Sequence, residues 1–441
     1  MRSQRTFAAA LAFGIVSLAT TTAHSYSFLN IADDAGPLST FDAPSLNDDG
    51  RAAFLAEDDG GGTGIFAGSG GPITTIAASG GSFLGFGLPA INSAGTVAFY
   101  ADLAGGDSGV FTGNGGGTSS IADTISDPFV YFEDGAAINS GGAVVFVADP
   151  DAGGSGVFVS SGGPVTTIAN TSGPFGLLLN PAINDGGTVV FFGSLDAGGG
   201  GLFRGNGGAV DTVVDDAGAF SDFGLPAINA SGTVAFGAIL DGGGSGIYID
   251  DGGPAGSTPI AESGATFDFF GHPSINSAGT VAFAGFLQGG GKGIFTGDDP
   301  VGDKVIRTGD SLFGSTVADL AFFRGLNDNG EVAFGYTLAD GRTGVAVAVE
   351  TGVPTTGADF DESGVVDGAD LGLWQSNFGT GVTHMEGDAD GDLDVDGADL
   401  LLWQRQLGGP GGAAAVPEPG SGSLMLAWTI GCAVWVCRQR G

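Results

Sequence analysis

Between Asp359 and Asp399 the chain carries twelve acidic residues and no lysine or arginine. In the first part of this stretch, side-chain oxygens fall at Asp359, Asp361, Ser363, Asp367 and Asp370, which are positions 1, 3, 5, 9 and 12 of a twelve-residue loop. Gly364 stands at position 6 and the Val365 carbonyl at position 7. Twenty-nine residues on, Asp388, Asp390, Asp392, Asp396 and Asp399 repeat the register, with the Asp394 carbonyl at position 7. A hard cation such as Ca²⁺ takes roughly six to eight oxygens, and glycine at the sixth place lets the chain turn sharply around it. These twelve residues are the candidate calcium ligands, ten through side chains and Val365 and Asp394 through the backbone. Leu393 replaces the turn glycine in the second loop, which is expected to be more strained. Without metal the carboxylates repel one another, so folding of this stretch should depend on Ca²⁺.

Each loop leads into an apolar helix start, Leu371-Gly372-Leu373-Trp374-Gln375 and Leu400-Leu401-Leu402-Trp403-Gln404, with no helix entering the loop. The loops have EF-hand spacing, and the duplicated loop-plus-helix resembles the dockerin type I domain over Asp359 to about Leu407. Asp rather than Glu at position 12 agrees with that pattern. The resemblance implies a Ca²⁺-dependent docking module. Positions 10 and 11 are Gly-Ala in both loops, where cohesin-binding dockerins typically carry Ser/Thr, and this departure argues against a cohesin-like partner. A solvated acidic linker is the plainer alternative, but it would not repeat a ligand register followed twice by Trp-Gln.

Upstream, one unit recurs seven times. Asn-x-x-Gly stands at Asn47, Asn92, Asn139, Asn184, Asn229, Asn276 and Asn327, at spacings of 45, 47, 45, 45, 47 and 51. A Phe follows each Asn by seven residues, from Phe54 to Phe334, and a Gly follows by seventeen, from Gly64 to Gly344. Within a unit, Leu88–Ile91, Thr96–Leu103, a run around Val110-Phe111 and one including Ile121-Ala122 read as four short strands. Asn92-Ser93-Ala94-Gly95 is the turn between the first two; there Asn can bond its own backbone two residues on and Gly can take positive φ. The second strand is apolar on both faces and needs cover on both. Four such strands in about 45 residues form a β-propeller blade. An open solenoid is the alternative. The seventh unit lacks its fourth strand, and a copy of it, Leu29-Asn30-Ile31-Ala32, stands alone at the N-terminus. That permutation suits a closed ring. The repeat resembles a group of bacterial surface proteins with tandem NxxGxxxF units over roughly Ser27–Glu350, a resemblance that implies architecture and no established activity.

The ends are addresses. Arg2 and Arg5, the apolar run Phe7–Ala19, and Ala23 and Ser25 before a cleavage site form a secretory signal. Pro417-Glu418-Pro419, an apolar stretch and Arg438-Gln439-Arg440 resemble the PEP-CTERM sorting signal of Gram-negative bacteria. That resemblance implies exosortase as a partner and a transient inner-membrane span; a plain C-terminal anchor is the alternative.

The expected domains are residues 1–25, signal; 26–350, seven-bladed all-β propeller; 351–358, linker; 359–408, small α-helical calcium-binding domain; 409–415, linker; and 416–441, sorting segment. A formal charge of −37 offers nucleic acid no electrostatic hold. Both cysteines, Cys432 and Cys437, lie in the last ten residues, so the body has no disulfide framework. His24 leaves with the signal; His272 and His384 have no partner at metal or triad spacing. We therefore expect a secreted cell-surface or extracellular-matrix protein that binds a surface protein or polysaccharide and has no catalytic residues. The alternative is a polysaccharide-binding or polysaccharide-degrading protein acting through an end face of the propeller.

Overall fold

The second repeat shows how each unit folds. Its innermost strand is broken in two, Phe83–Phe86 and Ala90–Ile91, and both halves pair antiparallel with Val97–Leu103. Ser108–Gly113 and Thr118–Asp123 follow outward, so the sheet order is the chain order. Between the first two strands the N–H of Gly95 donates to the Asn92 carbonyl at 2.9 Å, and Gly95 sits at φ +76°, a conformation that glycine alone takes freely. The glycine seventeen residues after Asn has a different reason. Strands three and four slip register between Val110 and Phe111, and a Cβ on Gly109 would lie 2.7 Å from the Ala122 carbonyl oxygen.

The computed structural model describes residues 24–252, 256–351, 358, 360–361, 366–381, 384–389 and 395–407. It divides into two compact units between Thr351 and Gly352. The first is an all-β seven-bladed propeller, as expected, built of seven antiparallel sheets. The strand Tyr26–Asp33 pairs with Thr343–Glu350 and completes the last blade from the N-terminus. Ala32 even supplies the carbonyl that faces Gly344, the role Ala122 plays for Gly109. The open solenoid is thereby excluded. His24 and Ser25 are folded against this clasp: His24 Nδ1 meets Glu350 Oε1 at 2.6 Å and the Ser25 carbonyl accepts from Thr351 N–H. Cleavage before Tyr26 would remove both contacts.

Burial follows the repeat. All seven phenylalanines, from Phe54 to Phe334, are fully buried, and so are the small residues one place earlier, such as Ala98, Ala235 and Ala282. The hydrophobic clusters form between blades. Ala53 and Ile65 of the first blade pack with Phe99 of the second, and Ile31, Val345 and Val347 of the last blade pack with Ala52 and Phe54 of the first. Each sheet thus gets cover on both faces from its neighbours, which is why its second strand has no polar side.

In the second unit, helices α1 (Gly368–Asn377) and α2 (Gly397–Gln406) follow the acidic loops, with a 3₁₀ turn at His384–Glu386. Both open on a capping box, Asp367 with Asp370 and Asp396 with Asp399. Among the described residues no helix is long and apolar enough to cross a membrane. The signal residues 1–23 and the sorting motif Pro417, Glu418 and Pro419 lie outside the described residues.

Candidate functional site

The two ends of the ring differ in chemistry. At one end the seven repeat asparagines are buried and joined head to tail around the axis. Nδ2 of Asn47 donates to the carbonyl of Asn92, Asn92 to Asn139, and so on round to Asn327, which donates back to Asn47, all at 3.0–3.3 Å. Each Oδ1 accepts from the N–H four residues on, as Asn92 does from Thr96, at 2.9 Å. The sequence had placed this bond two residues on, and only Asn327 makes one there, to Asn329 N–H. The glycine N–H already closes the turn, which frees the side chain to reach one residue further and across to the next blade. The asparagines thus each spend a donor and an acceptor on closing the ring, and their role is structural.

The opposite end carries the outer halves of the innermost strands. At the place three residues before Asn, five blades have proline, the third has Ala136, and the seventh has Arg324. Arg324 takes φ +54° and crosses the axis: Nη1 donates to the Ala136 carbonyl at 2.6 Å and Nη2 to the Pro181 carbonyl at 3.3 Å. Its guanidinium lies 4.8 Å from the centre of the Phe323 ring. Burial holds its pKa down to about 10, opposed by the charge of Asp134. Beneath it the axial channel is a cavity of about 210 Å³ walled by Ile91, Ile138 and their counterparts in other blades.

Around this mouth the face is studded with apolar side chains. Leu84, Val130, Tyr131, Leu177 and Phe269 are exposed on the outer half-strands of blades two, three, four and six. Carboxylates stand among them. Asp102, opposite Gly85, accepts from Tyr100 Oη at 2.6 Å, and Asp149 is paired across from Tyr131. Desolvation, then repulsion from Asp149, pushes the Glu133 carboxyl above its ordinary range. Between blades five and six a cavity of about 430 Å³ opens, with Phe223, Phe269 and Phe270, the carboxylates Asp222 and Asp268, and His272 in its wall. Desolvation and the nearby Arg324 charge hold the His272 imidazole below its usual pKa. The sequence reading missed this half-strand because Gly87-Leu88-Pro89 interrupts it. A Phe nine or ten residues before Asn, at Phe83, Phe129, Phe175, Phe220 and Phe267, was the available signal.

Of the candidate calcium ligands, Asp361, Asp367, Asp370, Asp388, Asp396 and Asp399 are described. Asp359, Ser363, Val365, Asp390, Asp392 and Asp394 lie outside the described residues. Asp370 and Asp399 are wholly buried and Asp388 nearly so. Asp370 accepts from the N–H groups of Asp361 and Asp367, and Asp399 from those of Ala389 and Asp396. The two halves lock reciprocally: Trp374 Nε1 donates to the Asp396 carbonyl and Trp403 Nε1 to the Asp367 carbonyl, both at 2.8 Å. Among the described residues no three acidic or imidazole side chains converge on one point.

A family model described as a family of unknown function (DUF7453) matches residues 30–268, more than half of the chain. The chain belongs to this family. The match lies wholly within the propeller. No curated protein matches the chain. Among solved structures, a chain from a structural and mechanistic analysis of two prolyl endopeptidases is similar with a TM-score of 0.50 and 13% identity, over 73% of this chain and 51% of that one. This chain thus spans about half the length of that chain. An oligogalacturonate lyase from Vibrio parahaemolyticus gives a TM-score of 0.48 at 13% identity, over 74% and 97% of the two chains. YCF48 bound to D1 peptide gives 0.43 at 11%, over 74% and 97%. At such identities the likeness concerns the fold alone.

Proposed function

We propose that this is an exported, non-catalytic binding protein of the cell surface or extracellular matrix. The end of the propeller opposite the asparagine ring holds the ligand, and the loop-helix pair docks in a Ca²⁺-dependent manner. The observation that carries the reading is the contrast between the ends. One end uses its polar groups in closing the ring, while the other exposes Leu84, Val130, Tyr131, Leu177 and Phe269, which closure does not require. Exposed apolar side chains gathered on one face, rimmed by polar groups, mark interaction surfaces.

The donor chemistry of the second unit fits calcium. Asp370 and Asp399 are buried carboxylates in a stretch without lysine or arginine, each accepting from backbone N–H groups. An ionised carboxylate offers about four acceptor sites, so Asp370, with two of them on N–H groups, has capacity for a cation. Calcium bound there would neutralise carboxylates whose burial is otherwise costly. The signal and sorting segments supply export and surface delivery through an exosortase-type machinery.

The reading is tested by incubating the whole protein with isolated cell-envelope polysaccharide and envelope protein. Binding without release of new reducing ends or peptide termini is expected. Turnover of either material would put the protein among enzymes instead.

A further inference from the structure

We infer that the axial channel beneath Arg324 binds a small monocarboxylate, with the guanidinium as its counter-ion and Ser274 and Asn180 as further donors. The inference goes beyond the reading of the surrounding face as an interaction surface and does not depend on it.

Three departures from the repeat meet in this one cavity. Three residues before the asparagine, Arg324 stands where the other blades have proline or alanine. Two residues before it, blades two to five carry Ala90, Ala137, Ala182 and Ala227, whereas blade six has Ser274. Four residues before it, blades two and five carry Leu88 and Leu225, whereas blade four has Asn180. Arg324, Ser274 and Asn180 all line the cavity of about 210 Å³. Arg324 and Asn180 both hold left-handed backbone, at φ +54° and +56°. Asparagine tolerates that region, but for arginine it is uncommon, and strain of this kind collects where a position serves a ligand.

The polar groups of the cavity are not used up by the fold. Of five guanidinium N–H donors, Nη1 gives one to the Ala136 carbonyl and Nη2 gives two to those of Gly135 and Pro181, which leaves two donors and the whole charge. Arg324 makes no ion pair among the described residues, and Asp134 acts on it only from beyond ion-pair distance. A cation above walls such as Ile91 and Ile138 is costly without an opposite charge. Ser45, in the same column as Ser274, accepts from Ile91 N–H at 3.3 Å. The Ser274 hydroxyl is 7% exposed and has no hydrogen-bond partner among the described residues.

These groups select the ligand. A carboxylate accepts about four hydrogen bonds, which two guanidinium N–H groups, the Ser274 hydroxyl and the Asn180 amide supply. Its single charge matches the single cation. A phosphate brings roughly two charges near neutral pH, and the second would face Asp134 in a chain of net charge −37. The aliphatic residue before each asparagine, from Leu46 to Leu326, walls the channel and suits a short hydrocarbon tail. At about 210 Å³ the space lies below the roughly 300–1,000 Å³ of ordinary small-ligand sites, which keeps that tail to a few carbons.

The experiment titrates the full-length protein with acetate, propionate and butyrate by calorimetry, beside propanol and inorganic phosphate. At least one carboxylate is expected to bind saturably at one site per chain, with propanol and phosphate at least tenfold weaker. Arg324→Gln should abolish binding. Ser274→Ala, which restores the alanine of blades two to five, and Asn180→Gly, which keeps the left-handed backbone, should each weaken it severalfold with the melting temperature of the ligand-free protein unchanged. If Arg324 serves only to tie blades together, the parent binds no carboxylate, and that result would overturn the inference. Equal binding by the parent, Ser274→Ala and Asn180→Gly proteins would do the same, as would propanol or phosphate bound as tightly as the carboxylates. Should Arg324→Gln fail to fold, the other two variants decide.

Discussion

Asn139 illustrates what a single repeat residue does. Its side chain accepts from Ala143 N–H and donates to the Asn184 carbonyl, both inside the ring. Asn139→Ala would leave the Ala143 N–H unpaired, at about 1–3 kcal/mol, and remove one of the two donors to the Asn184 carbonyl, which keeps Gly187 N–H. Asn139→Asp keeps the acceptor but aims a carboxylate at a carbonyl, so it should be worse than Ala near pH 7 and recover toward pH 4, where the protonated acid can donate. Urea midpoints at the two pH values check this, and no dependence on pH would disprove the donor direction. Glu133 is a second case. Desolvation and Asp149 both raise its folded pKa, so its contribution to stability is complete below the unfolded value and is lost as pH rises through the folded one. Glu133→Gln should therefore stabilise the ring at pH 7 and change nothing at pH 3.5, measured as the difference between melting temperatures. The asparagines were legible as a spacing, but their partners were not, because a bond between blades joins residues 45 to 51 positions apart, or 280 where the ring closes, and has no local signature.

At the scale of elements, the clasp was the most legible feature. Ile31 precedes Asn47 by sixteen residues, as Ile76, Ile168 and Val213 in fourth strands precede their own next repeat asparagine, and the pairing of Phe28 with Ala348 and Asp33 with Gly344 fulfils the match. The broken innermost strand was less legible, since its outer half exposes Leu84 and Val130 where alternation would place polar residues. Arg324 could not be read at all: nothing local tells a proline column from a residue that crosses the axis. Ile31 of the clasp is buried against Ala52, Phe54 and Val347. A chain starting at Ala35 should lose this packing and expose the outer edge of Thr343–Glu350, an invitation to intermolecular pairing. Light scattering should show self-association, and the melting transition should broaden or vanish. A monodisperse protein with an unchanged melting temperature would mean that the clasp is dispensable.

At the scale of the whole molecule, the −37 charge divides mainly between the acidic turns of the ring and the twelve carboxylates between Asp359 and Asp399. Trp374 and Trp403 report on the latter, since each indole is bonded to the N-cap carbonyl of the other helix. Removing Ca²⁺ with a chelator should shift tryptophan emission to the red, and Asp370→Asn should reduce the bound ions from two to one. An emission spectrum and ion count indifferent to Ca²⁺ would remove the docking module from the proposal. The ring itself is legible from Asn, Phe and Gly columns, whereas its apolar end face is carried by half-strand residues outside those columns, such as Leu84 and Val130. The most direct measurement compares envelope binding by two variants of the full chain. Leu84→Asp with Val130→Asp alters the apolar end, and Ser93→Asp with Ala230→Asp alters the asparagine end. Binding lost in the first pair and kept in the second is the predicted result; loss only in the second, or in neither, would contradict it.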